Sequence, residues 1–460
     1  MQRTISPVDG RVYVERALAG EREIAAALAK ASGAAPAWRA VPVAERTALV
    51  QRAVDLLLAE REAAALEITW QIGRPIAQSP GELRGLEERA RHMLGIAEAA
   101  LADVEIAGRE GFTRFIRREP IGLVLVVAPW NYPYLTAVNA IVPALAAGNV
   151  VLLKHSAQTP LCAERFQAAF TAAGLPEGVF QHLHMGHDAT LQLVASGAAG
   201  LVAFTGSVAG GRAVQAAAGQ AWVATNLELG GKDPAYVRAD ADLGHAVANL
   251  VDGVCFNSGQ SCCGIERIYV AGPLYDDFVA GYVELASAYR LDDPTDPATT
   301  LGPMVRPAAA DLARAQVAEA VAQGARALIA PERFARDRPG SAYLAPQCLV
   351  DVTHAMRVMR EESFAPIVGI MKVQDDAEAV ALMNDSDFGL TASVWTRDEA
   401  AALAIGDQLA TGTVFMNRCD YLDPALPWVG VKDSGRGCAL SHLAFEHLTR
   451  PKSFHLRTAV

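Results

Sequence analysis

From Ile121 to Leu153 the chain carries no charged residue. By length alone such a run could cross a bilayer. Its composition points elsewhere, because Pro129, Asn131, Pro133, Asn139, Pro143, Gly148 and Asn149 interrupt it. The run divides into a β-branched stretch (Leu123 to Val127), a helix-length stretch (Leu135 to Ala147) and a second short strand (Val150 to Leu153). Strands buried on both faces read as continuous apolar runs, so the segment predicts a buried β-α-β unit inside a parallel sheet rather than a membrane span.

The flanks extend this rhythm. Glu21 to Ala31, Ala44 to Leu66 and Leu83 to Ala102 have apolar residues at helical spacing. Cys162 to Ala173 predicts a helix, Leu201 to Thr205 a strand, Gly210 to Ala218 a helix and Val223 to Leu229 a strand. Strand–helix alternation of this kind implies a doubly wound parallel sheet. A second α/β region follows. Helices are predicted over Leu243 to Cys255, Leu274 to Tyr289, Ala308 to Gln323 and Asp376 to Met383. Strands are predicted over Ile268 to Val270, Ala325 to Ile329, Ser393 to Thr396 and Thr413 to Asn417. Arg114 to Arg118 alternate charge and bulk, which predicts a ribbon exposed on at least one face.

A chain of 460 residues has room for two or three cores, and 52% hydrophobic with 20% charged residues is the profile of an ordered globular protein. The net charge of −11 argues against nucleic acid as a partner, since phosphate binding needs a basic footprint. Seven scattered cysteines, two of them adjacent, do not form a disulfide framework. With the absence of a signal-like start, they predict a cytoplasmic location. No metal site is expected.

Four segments carry residues suited to chemistry. Phe256-Asn-Ser-Gly-Gln-Ser-Cys262-Cys263 puts a thiol after a loop whose backbone N–H groups can activate it and later hold an oxyanion; equally, most cysteines are small buried hydrophobes. Glu228, between Leu227 and Leu229 and before two glycines, is placed for partial desolvation, which raises a carboxyl towards a general base's range; the plain alternative is a solvated strand end. Asn131 stands in a turn between two prolines and can aim its amide at a reacting oxygen, or be an ordinary turn asparagine. Gly206-Ser-Val-Ala-Gly-Gly211 opens a helix after a strand, where a dinucleotide phosphate can bind, although the spacing is not G-x-G-x-x-G.

Taken together the segments resemble the aldehyde dehydrogenase superfamily. Pro129-Trp-Asn-Tyr-Pro133, Lys154, Phe204-Thr-Gly-Ser207, Glu228-Leu-Gly-Gly-Lys232, Gly259-Gln-Ser-Cys262, Glu362-Ser-Phe-Ala-Pro366 and Gly430-Val-Lys-Asp-Ser-Gly435 occur in that family's order. The resemblance implies an NAD- or NADP-dependent enzyme that oxidises an aldehyde to a carboxylic acid. The route would run through a thiohemiacetal and a thioester on Cys262, with Glu228 as deacylating base and Asn131 as oxyanion donor. It implies that Lys154, Gly206, Ser207, Gly211, Glu362 and Phe364 surround the cofactor, with Trp130 packing beside the cleft. It further implies an α/β fold in three parts. Residues 1–104 and 121–228 would form a doubly wound cofactor domain and 229–432 an α/β catalytic domain. Residues 105–120 and 433–460 would supply a small β oligomerisation ribbon, with Lys452 to Val460 pairing against Arg114 to Arg118. Homodimers or homotetramers would follow.

Three rival outcomes keep parts of this pattern. The thioester could pass to coenzyme A or phosphate instead of water, the chain could be a non-catalytic binding member of the family, or the thiol could serve a hydrolase; Glu228 and the intact Cys262, Glu228 and Asn131 set weigh against them. Two departures bear on specificity. Many members carry an acidic residue three places after the lysine, where this chain has Ala157, so NADP is expected to be accepted beside NAD. Members that favour dicarboxylic semialdehydes tend to place arginines eight residues after the asparagine and shortly before the cysteine. Here those positions hold Asn139 and Phe256, which predicts against such substrates. Asp420 and Asp423 would instead suit a cationic aminoaldehyde, or simply form a solvated loop.

Overall fold

A computed structural model describes residues 1–459. The charge-free run is a strand (Leu123–Ala128), a helix (Pro133–Ala146) and a strand (Val150–His155), all but completely buried. Proline at the start of the helix suits a position whose N–H has no helical partner. The helix ends at Gly148, whose φ of +91° is left-handed and whose face meets the Arg46 guanidinium at 3.3 Å, so no side chain fits there.

These strands lie inside a six-stranded sheet. Its order is Gly435–Arg436, Ala224–Glu228, Leu201–Thr205, Leu123–Ala128, Val150–His155 and Phe180–His182, parallel except for the first. Lys154 and Glu228 are therefore both at carboxyl ends of strands, along the crevice where open α/β sheets bind ligands. A second, seven-stranded sheet runs Arg326–Ala327, Gln347–Val350, Ile367–Val373, Ile265–Ala271, Asp233–Val237, Thr391–Trp395 and Thr413–Met416. Only its first strand is antiparallel. The helix Leu243–Cys255, capped by Asp242 accepting from the His245 amide at 3.1 Å, delivers the chain to the cysteine loop. Among the described residues no helix is long and apolar enough to cross a membrane.

The third part is a ribbon in which Thr449–Arg457 pairs antiparallel with Phe112–Pro120, itself flanked by Val104–Glu105. Phe115 and Phe454 stack across it at 4.5 Å, with the Arg117 guanidinium over both rings. The pairing joins Arg114–Arg118 to residues 451–455, and Val460 lies outside the described residues.

Two elements depart from the sequence reading. The helix expected over Ala44 to Leu66 is two, Val43–Ala59 and Arg61–Ile72, because the chain turns at Glu60 (φ −103°, ψ 19°) and brings the fully buried Ile68 and Ile72 back to the core. The strand expected over Ala325 to Ile329 shrinks to Arg326–Ala327, since the Ile329 amide bonds to the Gln347 side chain instead of a ladder partner.

Candidate active site

Two cavities meet at Cys262. A cleft of 700 Å³ runs along the carboxyl edge of the six-stranded sheet, and a tunnel of 370 Å³ enters from the far side; the thiol-bearing residue lines both. Cys262 is partly exposed while Cys263 is buried, and Cys263 lines the tunnel alone. All seven cysteines are unpaired.

The loop before Cys262 is held in a conformation that its residues would not adopt unaided. Asn257, Ser258 and Gly259 all have positive φ (51°, 57° and 70°). Left-handed backbone at a non-glycine residue persists only where surroundings over-determine it. Here the Asn257 amide donates to the carbonyls of Asn131 and Gln260, each at 3.2 Å, and the Ser258 hydroxyl to the Gly302 carbonyl at 2.8 Å. Gln260 ties the loop to the Val305 amide at 2.8 Å. Gly259 packs its missing side chain's place against the Ala365 backbone, where a Cβ would lie 2.2 Å from carbon.

Beneath the loop lies an ion pair. Arg74 and Glu82 are fully buried and bonded at 2.6 Å. Arg74 also donates to Asn257 Oδ1 and to the Asn131 carbonyl, while Glu82 accepts the amides of Tyr134 and Leu135, each at 2.9 Å. A carboxylate at a helix N-terminus satisfies donors that the helix leaves open. The pair thereby fixes three things at once: the turn bearing Asn131, the helix after it, and the cysteine loop. The Asn131 amide nitrogen in turn donates to the Gln260 carbonyl at 3.2 Å.

Glu228 ends its strand against the tunnel. It is largely enclosed by protein and lines the tunnel, and burial pushes its carboxyl up to about 7, against the hydrogen bond from the Thr205 hydroxyl (3.1 Å) and the charge of Arg89, which pull it down. Cys262 is held above the ordinary thiol range by the hydrogen bond shared with Cys263, by burial and by the Asp233 and Glu228 carboxyls. Gly230 and Gly231 follow because nothing larger fits. A Cβ on the first would sit 2.5 Å from Glu362 Oε1, and one on the second 2.2 Å from the Cys262 carbonyl oxygen.

The cleft gathers the remaining residues. Trp130, Asn131, Lys154, Gly206, Ser207, Glu362 and Phe364 line it together. Ser207 caps the helix Val208–Ala218 by accepting from the Gly210 amide at 3.2 Å. Gly211, expected in the cleft wall, is instead buried against Leu229, where a Cβ would come within 2.5 Å; Gly210 lines the cleft in its stead. Lys154 is buried with no acidic partner among the described residues, and burial lowers its pKa. Glu362, pushed up to about 7 by burial, accepts the Gly231 amide at 3.0 Å, and the Phe364 ring meets the Trp130 edge at 5.7 Å. The loop carrying Glu362 is anchored by a buried pair absent from the sequence reading: Lys232 bonds Glu266 at 2.5 Å, and Glu266 accepts the Ser363 and Phe364 amides at 2.8 Å.

The aldehyde dehydrogenase family model matches residues 1–454. The chain belongs to that family. The enzyme is 36% identical over 440 residues to a succinate-semialdehyde dehydrogenase [NADP(+)] 1 of Mycobacterium tuberculosis, covering 95% of this chain and 96% of the relative. Among solved structures it is similar to an NAD-dependent aldehyde dehydrogenase from Sinorhizobium meliloti (31% identity, TM-score 0.95, 100% and 92% covered). It is similar also to a succinic semialdehyde dehydrogenase from Streptococcus pyogenes in complex with NADP+ (27% identity, TM-score 0.94, 99% and 100% covered). It is thus an oxidoreductase that takes an aldehyde to the carboxylic acid with NAD or NADP.

Proposed function

We propose that Cys262 is the nucleophile and Glu228 the general base of this oxidation, a reading carried by Cys262 standing where cleft and tunnel meet. The aldehyde enters by the tunnel, and Cys262, as the thiolate left once its proton has passed to solvent, bonds through sulfur to the carbonyl carbon while the C=O π pair moves to oxygen. The oxyanion so formed is met by the Asn131 amide and the Cys262 backbone N–H, dipoles already oriented before charge develops. When bound in the cleft, NAD or NADP accepts the hydride that turns the thiohemiacetal into a thioester. Glu228 then takes a proton from water, whose oxygen attacks the thioester carbon and frees the Cys262 sulfur with the acid. Peptide mass mapping tests the assignment: Glu228→Gln enzyme given aldehyde and cofactor should carry an acyl group on Cys262, and acylation of Cys263 instead would refute it.

The residues present fit a dinucleotide. Lys154 is a buried ammonium without a counter-ion among the described residues, Ser207 stands at a helix N-terminus, and the Gly230 cradle leaves room for Glu362. The six-stranded sheet is the cofactor half of the enzyme and the seven-stranded sheet carries the cysteine loop. Lys154 and Ser207 would hold the adenosine side of the dinucleotide, Glu362 the nicotinamide ribose, and Phe364 and Trp130 would pack beside the ring. NADP is accepted as well as NAD, because Glu362 is the one acidic residue in the cleft wall, and Ala157 cannot repel a 2′-phosphate near Lys154. The Mycobacterium relative's name carries NADP(+). Ala157→Glu is expected to shift kcat/KM towards NAD by about ten- to a hundredfold, the scale of one or two charge-assisted contacts. An unshifted cofactor ratio would place the discrimination elsewhere.

The ribbon leaves Thr449–Arg457 as an exposed edge, mostly solvent-facing. Open edges are ordinarily paired or covered, so we infer that this strand joins a second copy of the chain. Truncation after Leu448 should convert the oligomer to monomer in sedimentation; an unchanged mass would move the interface away from the ribbon.

A further inference from the structure

The tunnel holds a charge that the oxidation does not use. Arg89, on the helix Pro80–Leu101, is 8% exposed and lines the tunnel beside Cys262, Cys263 and Glu228. A buried guanidinium is costly unless a carboxylate or several acceptors surround it. Arg89 has neither. Among the described residues no ion pair includes it, and its hydrogen bonds all leave from Nη1, to the Leu135 carbonyl at 2.9 Å and Asn139 Oδ1 at 3.4 Å. The nearby Glu82 is fully committed to Arg74 and to two amides. Burial pulls the Arg89 pKa down, but a guanidinium starts so far above neutrality that it stays cationic. Its Nε and Nη2 donors have no partner among the described residues. Beside it, Asn139 Nδ2 is a second buried donor without an acceptor.

Glu228 lines the same wall and its charge favours the Arg89 cation, but no hydrogen bond joins the two among the described residues, and the other charges in the wall do not answer the cation either. Arg84 and Glu88 are exposed and of opposite sign, and Glu88 is bonded to the Tyr421 hydroxyl at 2.5 Å. Asp420 lines the wall but is pushed up to about 7 by burial and by Asp252, so it is only part-ionised at neutral pH. Asp423 caps its own turn at the Ala425 amide and does not line the tunnel. The permanent, desolvated charge is positive.

We propose that Arg89 determines specificity by receiving an anionic group at the far end of the substrate, so that the enzyme selects a short aldehyde with an ω-carboxylate. This reverses the sequence expectation drawn from Asn139 and Phe256. The guanidinium absent from position 139 arrives from another helix and rests on the Asn139 side chain. A carboxylate accepts two parallel N–H bonds from a guanidinium, which matches the donors left open. The proposal rests on Cys262 being the reacting thiol.

Three four-carbon aldehydes separate the possibilities: succinic semialdehyde, butanal and 4-trimethylammoniobutanal. The wild-type enzyme should show kcat/KM for the anionic aldehyde at least about tenfold above butanal, with the cation lowest. Assayed at about pH 9, where Glu228 is ionised with or without the neighbouring Arg89 charge, Arg89→Gln should cut kcat/KM for succinic semialdehyde about a hundredfold, mainly through KM, and that for butanal by no more than a few-fold. Adding Asn139→Arg to that variant should restore part of the anion preference. Should Arg89→Gln be unstable, Arg89→Lys, which keeps charge and loses the fork, should still lower the anion-to-neutral ratio. The proposal is overturned if butanal or the cation is the better wild-type substrate, or if the Arg89 variants lower all aldehydes alike, as a purely structural arginine would. Turnover of butanal keeps the two readings apart: if it is oxidised without anion preference, only Arg89's role falls, whereas an enzyme inert to every aldehyde removes the Cys262 reading too.

Discussion

Cys262→Ala is expected to yield no reduced cofactor, not even in the first turnover, with a fall in kcat on the order of 10⁶, the scale at which loss of an enzymic nucleophile acts. Hydride leaves only from a tetrahedral carbon, and on the proposed assignment the sulfur of residue 262 creates it. The neighbouring thiol supplies the control. Cys263 is 5% exposed, stands 3.5 Å from the Ser261 hydroxyl and does not reach the cofactor cleft. Cys263→Ala should therefore keep its first-turnover burst. Stopped-flow absorbance of the nicotinamide reads both variants directly, and a burst from Cys262→Ala would reassign the nucleophile.

Glu228→Gln should fail at the other step. A burst of reduced cofactor close to one per active site is expected, followed by a steady rate lower by about 10²–10⁴, the usual contribution of a general base. The pH dependence follows from the same carboxyl. Burial raises it to about 7, and only the ionised form can take a proton from water. Deacylation should therefore climb as pH rises through about 7 and level off roughly a unit above, while the Gln variant stays flat across that limb. A wild-type deacylation rate already at its plateau at pH 5.5 would mean that Glu228 is not the titrating base.

The sequence alone determined where chemistry could lie along the chain. The charge-free run could only be a buried β-α-β unit, because its prolines and asparagines deny it a bilayer. The segments around Asn131, Glu228 and Cys262 were each ambiguous alone, and they and Glu362 stood out through their joint resemblance to the aldehyde dehydrogenase superfamily. Within them, Gly230 and Gly231 are required by Glu362 and the Cys262 carbonyl pressing on them. Strands Asp233–Val237 and Ile367–Val373 were not predicted, since Pro234 interrupts one and Gly369 and Lys372 the other, leaving no continuous apolar run to mark a buried strand.

Tertiary structure alone decided what surrounds those residues. No motif in the sequence marks Arg74 or Glu82, yet together they hold Asn131 and Asn257, 57 and 183 positions away from Arg74 respectively. Lys232 and Glu266 do the same for the loop of Glu362. Gly211 turned out to be a packing contact, because only the rotation of its helix decides which glycine faces the cleft. Arg89 is the strongest case. On its helix it differs from its neighbours only in facing inward, and whether an arginine meets water, a carboxylate or an empty tunnel is set by elements far away in sequence. Local sequence records what the backbone needs; the electrostatic environment of a buried charge is the sum over everything folded around it.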